Sequence, residues 1–303
     1  MTRLPLYSLG RWIGLGCPRS VSGWLADRMA EWHWRLSAKD RAAVQANLTQ
    51  ILNRPMTPDA PEVRDVFHHL AWYLLEFVTA PRLAESLDTI PGREALRRSL
   101  RPGQGTIILS AHLGNWELGA ILMRRMGFPF DVVALPHRDR PVNRFFDRQR
   151  ARCGVQVVPL SPRATSRCLS LLRQGHLLGM LADRDFGDTG MTVSFFGEQI
   201  VVPRGLAVLS LRSQAPVLPV FVIREGPWRF RVHIEPPIMP PRATGNAERV
   251  RILTQQYLAV LERWIRRFPT QWLMFRPLAE SQPTRISTAL SHEPAQPWAT
   301  RRL

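Results

Sequence analysis

From about residue 104 onward, short β-rich runs alternate with stretches of helical period, and this alternation narrows the possible folds more than any other feature. β-Branched and large apolar residues concentrate at 106–110, 131–135, 155–159, 177–181, 217–223 and 230–235, which predicts six strands. Between and after them, 115–126, 142–153, 162–174, 203–213 and 246–268 carry helical patterns. The expected fold is α/β: a central mixed, largely parallel sheet flanked by helices, with an antiparallel edge. The first ninety residues read as helical instead. Leu25, Met29, Trp32 and Leu36 sit at helical spacing, Ser37 suits an N-cap, and Val63, Val66, Leu70, Tyr73, Leu74 and Phe77 form an apolar stripe. His68 and His69 on that stretch point about 100° apart, which makes them poor joint metal ligands and structural residues by default. The expected division is an N-terminal helical, membrane-interfacial region over 1–90, an α/β core over 91–280, and a polar, aperiodic tail over 281–303.

Charge limits the partners. The 303 residues include 41 basic and 24 acidic side chains, a formal +17, and Lys39 is the one lysine. Nearly all the positive charge is therefore guanidinium, whose planar fork suits phosphates and carboxylates. Anionic lipid, phosphorylated cofactors and nucleic acid are the partners such a balance admits. Cys17, Cys153 and Cys168 are odd in number and lack C-x-x-C spacing, which predicts reduced thiols rather than a disulfide framework or zinc site. No apolar run approaches the ~20 residues that span a bilayer. The N-terminal segment, with Trp12, Trp24, Trp32 and Trp34 among arginines, suits either the water–lipid boundary or an ordinary helix packed on the domain.

The stretch "TIILSAHLGNWELGA" carries the chemistry. In open α/β sheets ligands bind beyond the carboxyl ends of strands, and His112 lies two residues past the strand at 106–110. Glu117 follows five positions later. On one continuous helix the two would face about 140° apart, so the chain must turn between them, at Gly114 and Asn115. With Asn115 as N-cap, Glu117 falls in the first helical turn and is positioned to accept the imidazole's second N–H. His112 would then serve as a general base. The same spacing also fits a loop histidine beside a helix-start glutamate that favours the helix dipole.

"AHLGNWE" resembles the H-x4-D/E motif of the glycerolipid and lysophospholipid acyltransferase superfamily. "SAHLGNWELGA" in full is similar to its bacterial branch of lipid A biosynthesis and phosphatidylinositol mannoside acyltransferases. "FFDRQRARCGVQVVPL", "LLGMLADRDFGDTGMTVSFFGEQIVVPRGLAVLSLRSQAPVLPVFVIRE" and "FPTQWLMFRPL" continue that likeness in order, over roughly residues 20 to 280. The resemblance implies a histidine base, His112, that deprotonates an acceptor hydroxyl as it attacks a thioester, with no acyl-enzyme. It implies Glu117 as the motif acid and Asp183 as the carboxylate that orients the base. The mannoside-acyltransferase pattern has glutamate at that last position, one methylene longer, so whether Asp183 reaches His112 directly is a question of geometry. Asp183 and Asp185 equally suit loop capping or a salt bridge to Arg184. The absence of G-x-S-x-G, G-x-x-x-x-G-K-[ST] and H-E-x-x-H motifs agrees with that chemistry.

Candidates to hold the substrates are Asn115 in the motif, Arg138, Arg144 and Arg148 between two strands, Arg184 beside Asp183, Arg204 at a helix start, and Glu198 after "FFG". Arg140, Arg150 and Arg152 belong to the same basic stretch, and a solvated helix face accounts for many of these charges equally well. Glu198 also reads as a turn residue. Trp116, Trp228, Trp264 and Trp272 are most simply packing residues. The expected activity is O-acyl transfer from acyl-CoA or acyl-carrier protein to a glycolipid hydroxyl, with those thioesters as co-substrates and no other cofactor or metal. The expected location is peripheral, on the anionic cytoplasmic face of the plasma membrane. A lysophosphatidic-acid acyltransferase is the runner-up, against which the "EGTR" block of that branch is missing. A non-catalytic basic membrane- or nucleic-acid-binding protein lacks any supporting signature, and no nucleic-acid partner is expected.

Overall fold

The central strand is β1 (Thr106–Ser110), five consecutive buried residues. In this computed structural model, which describes residues 4–137, 139–184, 190–242 and 245–278, seven more strands follow it. They are β2 (Phe130–Ala134), β3 (Gln156–Pro159), β4 (Leu177–Leu181), β5 (Met191–Phe195), β6 (Glu198–Val202), β7 (Val217–Gly226) and β8 (Arg229–Ile234). Six of the eight form one sheet in the order β3-β2-β4-β1-β7-β8. β1 pairs in parallel with β4 and β7, β2 in parallel with β3 and β4, and β8 antiparallel to β7 at the edge. The largely parallel sheet with an antiparallel edge is therefore present, and each of the six expected strands has its counterpart. β5 and β6 form a separate hairpin that the sequence reading did not assign. Its turn is Phe196-Gly197, both at positive φ (53° and 82°), the backbone hand a two-residue hairpin requires.

The N-terminal helices are α1 (Leu4–Gly16), α2 (Arg19–Leu36), α3 (Ala38–Leu52), α4 (Pro61–Val78), α5 (Ala84–Asp88) and α6 (Arg93–Ser99). α7 (Trp116–Arg125), α8 (Arg140–Arg152), α9 (Ala164–Arg173), α10 (Gly205–Ser213) and α11 (Asn246–Arg267) follow among the strands. Strand alternation splits the core. Ile107 and Leu109 of β1 join Leu206 of α10 and Tyr257 and Leu261 of α11, while Ile108 joins Leu96 of α6 and Leu118 of α7 on the other face.

α2 packs against α4 through its small residues. Ser22, Gly23, Ala26 and Ala30 are buried there, and a Cβ on Gly23 would lie 2.8 Å from the Trp72 ring. Polar bonds fix the pair. His68 reaches Asp27 (3.0 Å) and Glu31 (2.7 Å), and Trp72 Nε1–H donates to Asp27 (2.9 Å). The outer face of α2 is the apolar one: Val21, Trp24, Met29, Trp32 and Leu36 are exposed, with Trp32 at 67% and Leu36 at 84%. The stripe Met29–Trp32–Leu36 seen in the sequence thus points away from the protein. Arg28 and Arg35 lie on the same exposed side, and all seven fall within about 140° of arc at ~100° per residue. Arg138 and the tail at 281–303 lie outside the described residues.

Candidate active site

β1 and β4 are neighbours in register, with Ser110 opposite Leu181. Two residues beyond each, side chains leaving the same edge of the sheet meet: His112 from β1 and Asp183 from β4. His112 Nδ1 lies 2.9 Å from Asp183 Oδ1, and the backbone N–H of His112 donates to Oδ2 at 2.9 Å. Trp272, in the segment after α11, donates its indole N–H to the same Oδ2 at 2.8 Å. Burial pushes the Asp183 carboxyl up, but the facing imidazole and these three N–H donors outweigh it, and the group sits below the usual carboxylate range. A carboxylate only accepts, so Nδ1 carries the hydrogen and Nε2 is the nitrogen with the lone pair. The His112 side chain keeps 16% exposure whereas that of Asp183 has none. The imidazole is thus reachable from outside while its partner is sealed. Asp183, although one methylene short of glutamate, makes the direct contact.

The expected His112–Glu117 pair does not form. The turn occurs where predicted: Gly114 has φ 64° and its N–H donates to the Gln271 carbonyl (3.0 Å), and a Cβ there would sit 2.1 Å from the Val222 carbonyl oxygen. Asn115 is the N-cap of α7, as expected, its Oδ1 accepting from Leu118 N–H at 3.3 Å. The first turn of α7 then carries Glu117 inward to α8, where Arg150 meets it through Nε (3.1 Å) and a terminal nitrogen (2.6 Å). Burial alone would depress the Arg150 guanidinium; the Glu117 carboxylate more than reverses this and holds it above its ordinary value. Trp116, next to Glu117, closes the wall beside His112. Its ring meets His112 edge-on (5.1 Å between centroids) and stacks on Tyr73 of α4 (4.3 Å).

The family model described as bacterial lipid A biosynthesis acyltransferase matches residues 5–279. The chain belongs to that family. Phosphatidylinositol mannoside acyltransferase of Mycolicibacterium smegmatis is 27% identical over 81% of this chain and 83% of its own length. The protein of the same name from Mycobacterium tuberculosis is 31% identical over 68% of this chain and 64% of its own length. Lipid A biosynthesis palmitoleoyltransferase of Escherichia coli is 25% identical over 63% of each chain. The protein is accordingly an acyltransferase.

The other candidate residues of this acyltransferase divide by burial. Asn115 is wholly buried, with its Nδ2 donating to Glu76 (2.8 Å), so its amide is committed inside the protein rather than turned to a substrate. Arg144 and Arg148 lie exposed on α8, one turn apart. Arg204 is exposed just before α10, and Glu198 opens β6. Arg184 is half-buried beside Asp183; burial, with Arg276 nearby, lowers its guanidinium. Among the described residues no three His, Cys, Asp or Glu side chains converge as a metal-ligand set.

Beneath the motif lies a buried network the sequence reading did not find. Glu76 of α4 receives Arg224 Nε at 2.7 Å and Asn115 Nδ2, and Arg224 Nη1 donates to His69 Nδ1 at 2.7 Å. Burial beside that guanidinium pushes His69 down to about 3, so it is neutral at neutral pH. The one available signal was a glutamate inside the apolar run "LAWYLLEFV". Trp272, read as packing, and Arg150, read as one of a basic stretch, were likewise missed as partners of the motif.

Proposed function

We propose that this acyltransferase moves a fatty acyl chain from acyl-CoA or acyl-carrier protein directly to a hydroxyl of a glycolipid, with His112 as the general base. The observation that carries this reading is the His112–Asp183 pair at the open end of the sheet, one partner accessible and the other sealed. Nε2 takes the acceptor's hydroxyl proton as its oxygen attacks the thioester carbonyl. A C–O bond forms, the C–S bond breaks, and the imidazolium returns the proton to the departing thiolate. The proton balance closes without a metal or an acyl-enzyme. The higher identity to the mannoside acyltransferases favours a phosphatidylinositol mannoside-like acceptor over a lipid A precursor.

The same reading puts the acceptor in a bilayer, since withdrawing each CH₂ costs ~0.8 kcal/mol. The outer face of α2 offers the attachment: Trp24 and Trp32 suit the headgroup level, and Arg28 and Arg35 suit anionic phosphates. Among the described residues no helix is long and apolar enough to cross a membrane, which is compatible with peripheral attachment to an anionic cytoplasmic leaflet. Lipid profiling of a deletion strain, paired with transfer by the purified protein to mannoside and lipid A-type acceptors, tests the reading. One glycolipid class lacking one acyl chain is expected. A loss confined to phosphatidic acid would make the protein a lysophosphatidic-acid acyltransferase instead.

A further inference from the structure

The segment that follows α11 runs directly under the motif loop and touches both halves of the dyad. Gly114 N–H donates to the Gln271 carbonyl (3.0 Å), Leu273 N–H donates to the His112 carbonyl (2.7 Å), and Trp272 pairs with Leu113 in an antiparallel bridge. Gln271 is itself locked onto the end of β7. Its Oε1 accepts from Arg224 N–H (3.0 Å) and its Nε2 donates to the Arg224 carbonyl (2.9 Å). Asn47 of α3 holds the continuation, donating to the carbonyls of Met274 (3.0 Å) and Arg276 (2.9 Å).

We propose that Trp272 is a positioning residue for acyl transfer, its indole N–H setting the rotation of the Asp183 carboxylate so that Oδ1 faces His112 Nδ1. This rests on His112 being the base. Of the hydrogen bonds to Asp183, two come from His112 itself, through Nδ1 on Oδ1 and the backbone N–H on Oδ2. These move with the motif loop. The indole is the donor from outside that loop, and it is fixed, because the residue is 2% exposed and its neighbour Gln271 is locked onto Arg224 of β7. Without the indole N–H, Oδ2 keeps one donor in a buried site, and the carboxylate is no longer held to one rotation. The imidazole then loses the acceptor that fixes its tautomer.

Trp272→Phe keeps an aromatic ring beside Phe196 and removes the donor together with part of the buried indole. The expected result is a kcat about 10- to 100-fold lower, the order lost when a buried acceptor goes unmet. KM for donor and acceptor should stay within about twofold, since neither substrate is bound by the indole nitrogen. In an Asp183→Asn background the same substitution should change kcat by less than about twofold, because both act through one contact. Replacing Trp272 with benzothienylalanine, which exchanges N–H for sulfur in the same ring frame, should reproduce the loss if the phenylalanine variant fails to fold. Wild-type kcat in either variant, or an undiminished effect in the Asp183→Asn background, overturns the proposal. Turnover surviving in His112→Ala would overturn the reading beneath it as well, which separates the two failures.

Discussion

Oδ1 of Asp183 and Nδ1 of His112 lie 2.9 Å apart across 71 residues of chain. That separation makes the dyad a product of sheet order, since β1 and β4 are adjacent in the sheet but far apart in sequence. It also gives the two acids around the motif separate partners: Asp183 holds His112, and Glu117 holds α7 to α8 through Arg150.

If His112 is the proposed base, removing its imidazole should abolish transfer. His112→Ala is expected to lower kcat at least ~10²–10⁴-fold, the range a positioned base supplies. Asp183→Asn should cost ~10²-fold or more, because an amide can present the wrong group to Nδ1 and select the wrong tautomer. Rates with the purified variants and a thioester donor check both. Near-normal turnover by folded His112→Ala would remove this residue from the mechanism.

Glu117 should register in stability. Arg150 and Glu117 keep only 13% and 3% side-chain exposure, so Glu117→Ala leaves a largely buried guanidinium without its main counter-charge and with Asp147 at 3.6 Å as the weaker one that remains. A loss of about 3–5 kcal/mol in unfolding free energy is expected, read by urea denaturation. Abolished activity at unchanged stability would instead show that the carboxylate acts at the reacting centre.

Acid should weaken the buried network under the motif. His69 is neutral in the folded protein, pushed down to about 3, while an unfolded histidine titrates near ~6.5. Between those values the unfolded chain binds the extra proton, so stability is full above ~6.5 and falls as pH drops toward 3. At pH 5 the deficit from this one group is about 2 kcal/mol. His69→Gln should flatten the pH dependence of unfolding between pH 7 and 5. An unchanged slope in that variant would remove His69 as its source.

Attachment to membranes should depend on the outer face of α2. Trp24→Ala combined with Trp32→Ala is expected to lower affinity for anionic vesicles, and added salt should lower it further by screening Arg28 and Arg35. Activity on detergent-dispersed acceptor should fall much less, because both tryptophans lie on the exposed outer face of α2. Equal partitioning into neutral and anionic vesicles, indifferent to salt and to both substitutions, would sink the attachment model.

Apart from the β5–β6 hairpin, the secondary structure and the position of the histidine could be read directly, because both depend on neighbours in the chain. The runs "TIILS" and "LLGML" show their strand character within five residues, and His112 follows the first at a strand end where ligands bind. Gly114 and Asn115 mark the turn and the N-cap for equally local reasons, a left-handed backbone and a side-chain oxygen aimed at a helix N–H. Partners were a different matter. Glu117 is five residues from His112 and looked like its acid, but the first turn of a helix can carry a carboxylate away from the loop before it, and α7 carries this one to Arg150. Asp183, Trp272 and the Glu76–Arg224–His69 network reach the site from β4, the segment after α11, α4 and β7. Their convergence depends on strand order and on which helix covers which face, and neither is encoded in the spacing of any one segment. The sequence by itself therefore determined the layered α/β architecture and the place of the histidine. Only the tertiary structure decided which carboxylate the histidine meets, because that contact is made between strands and not along them.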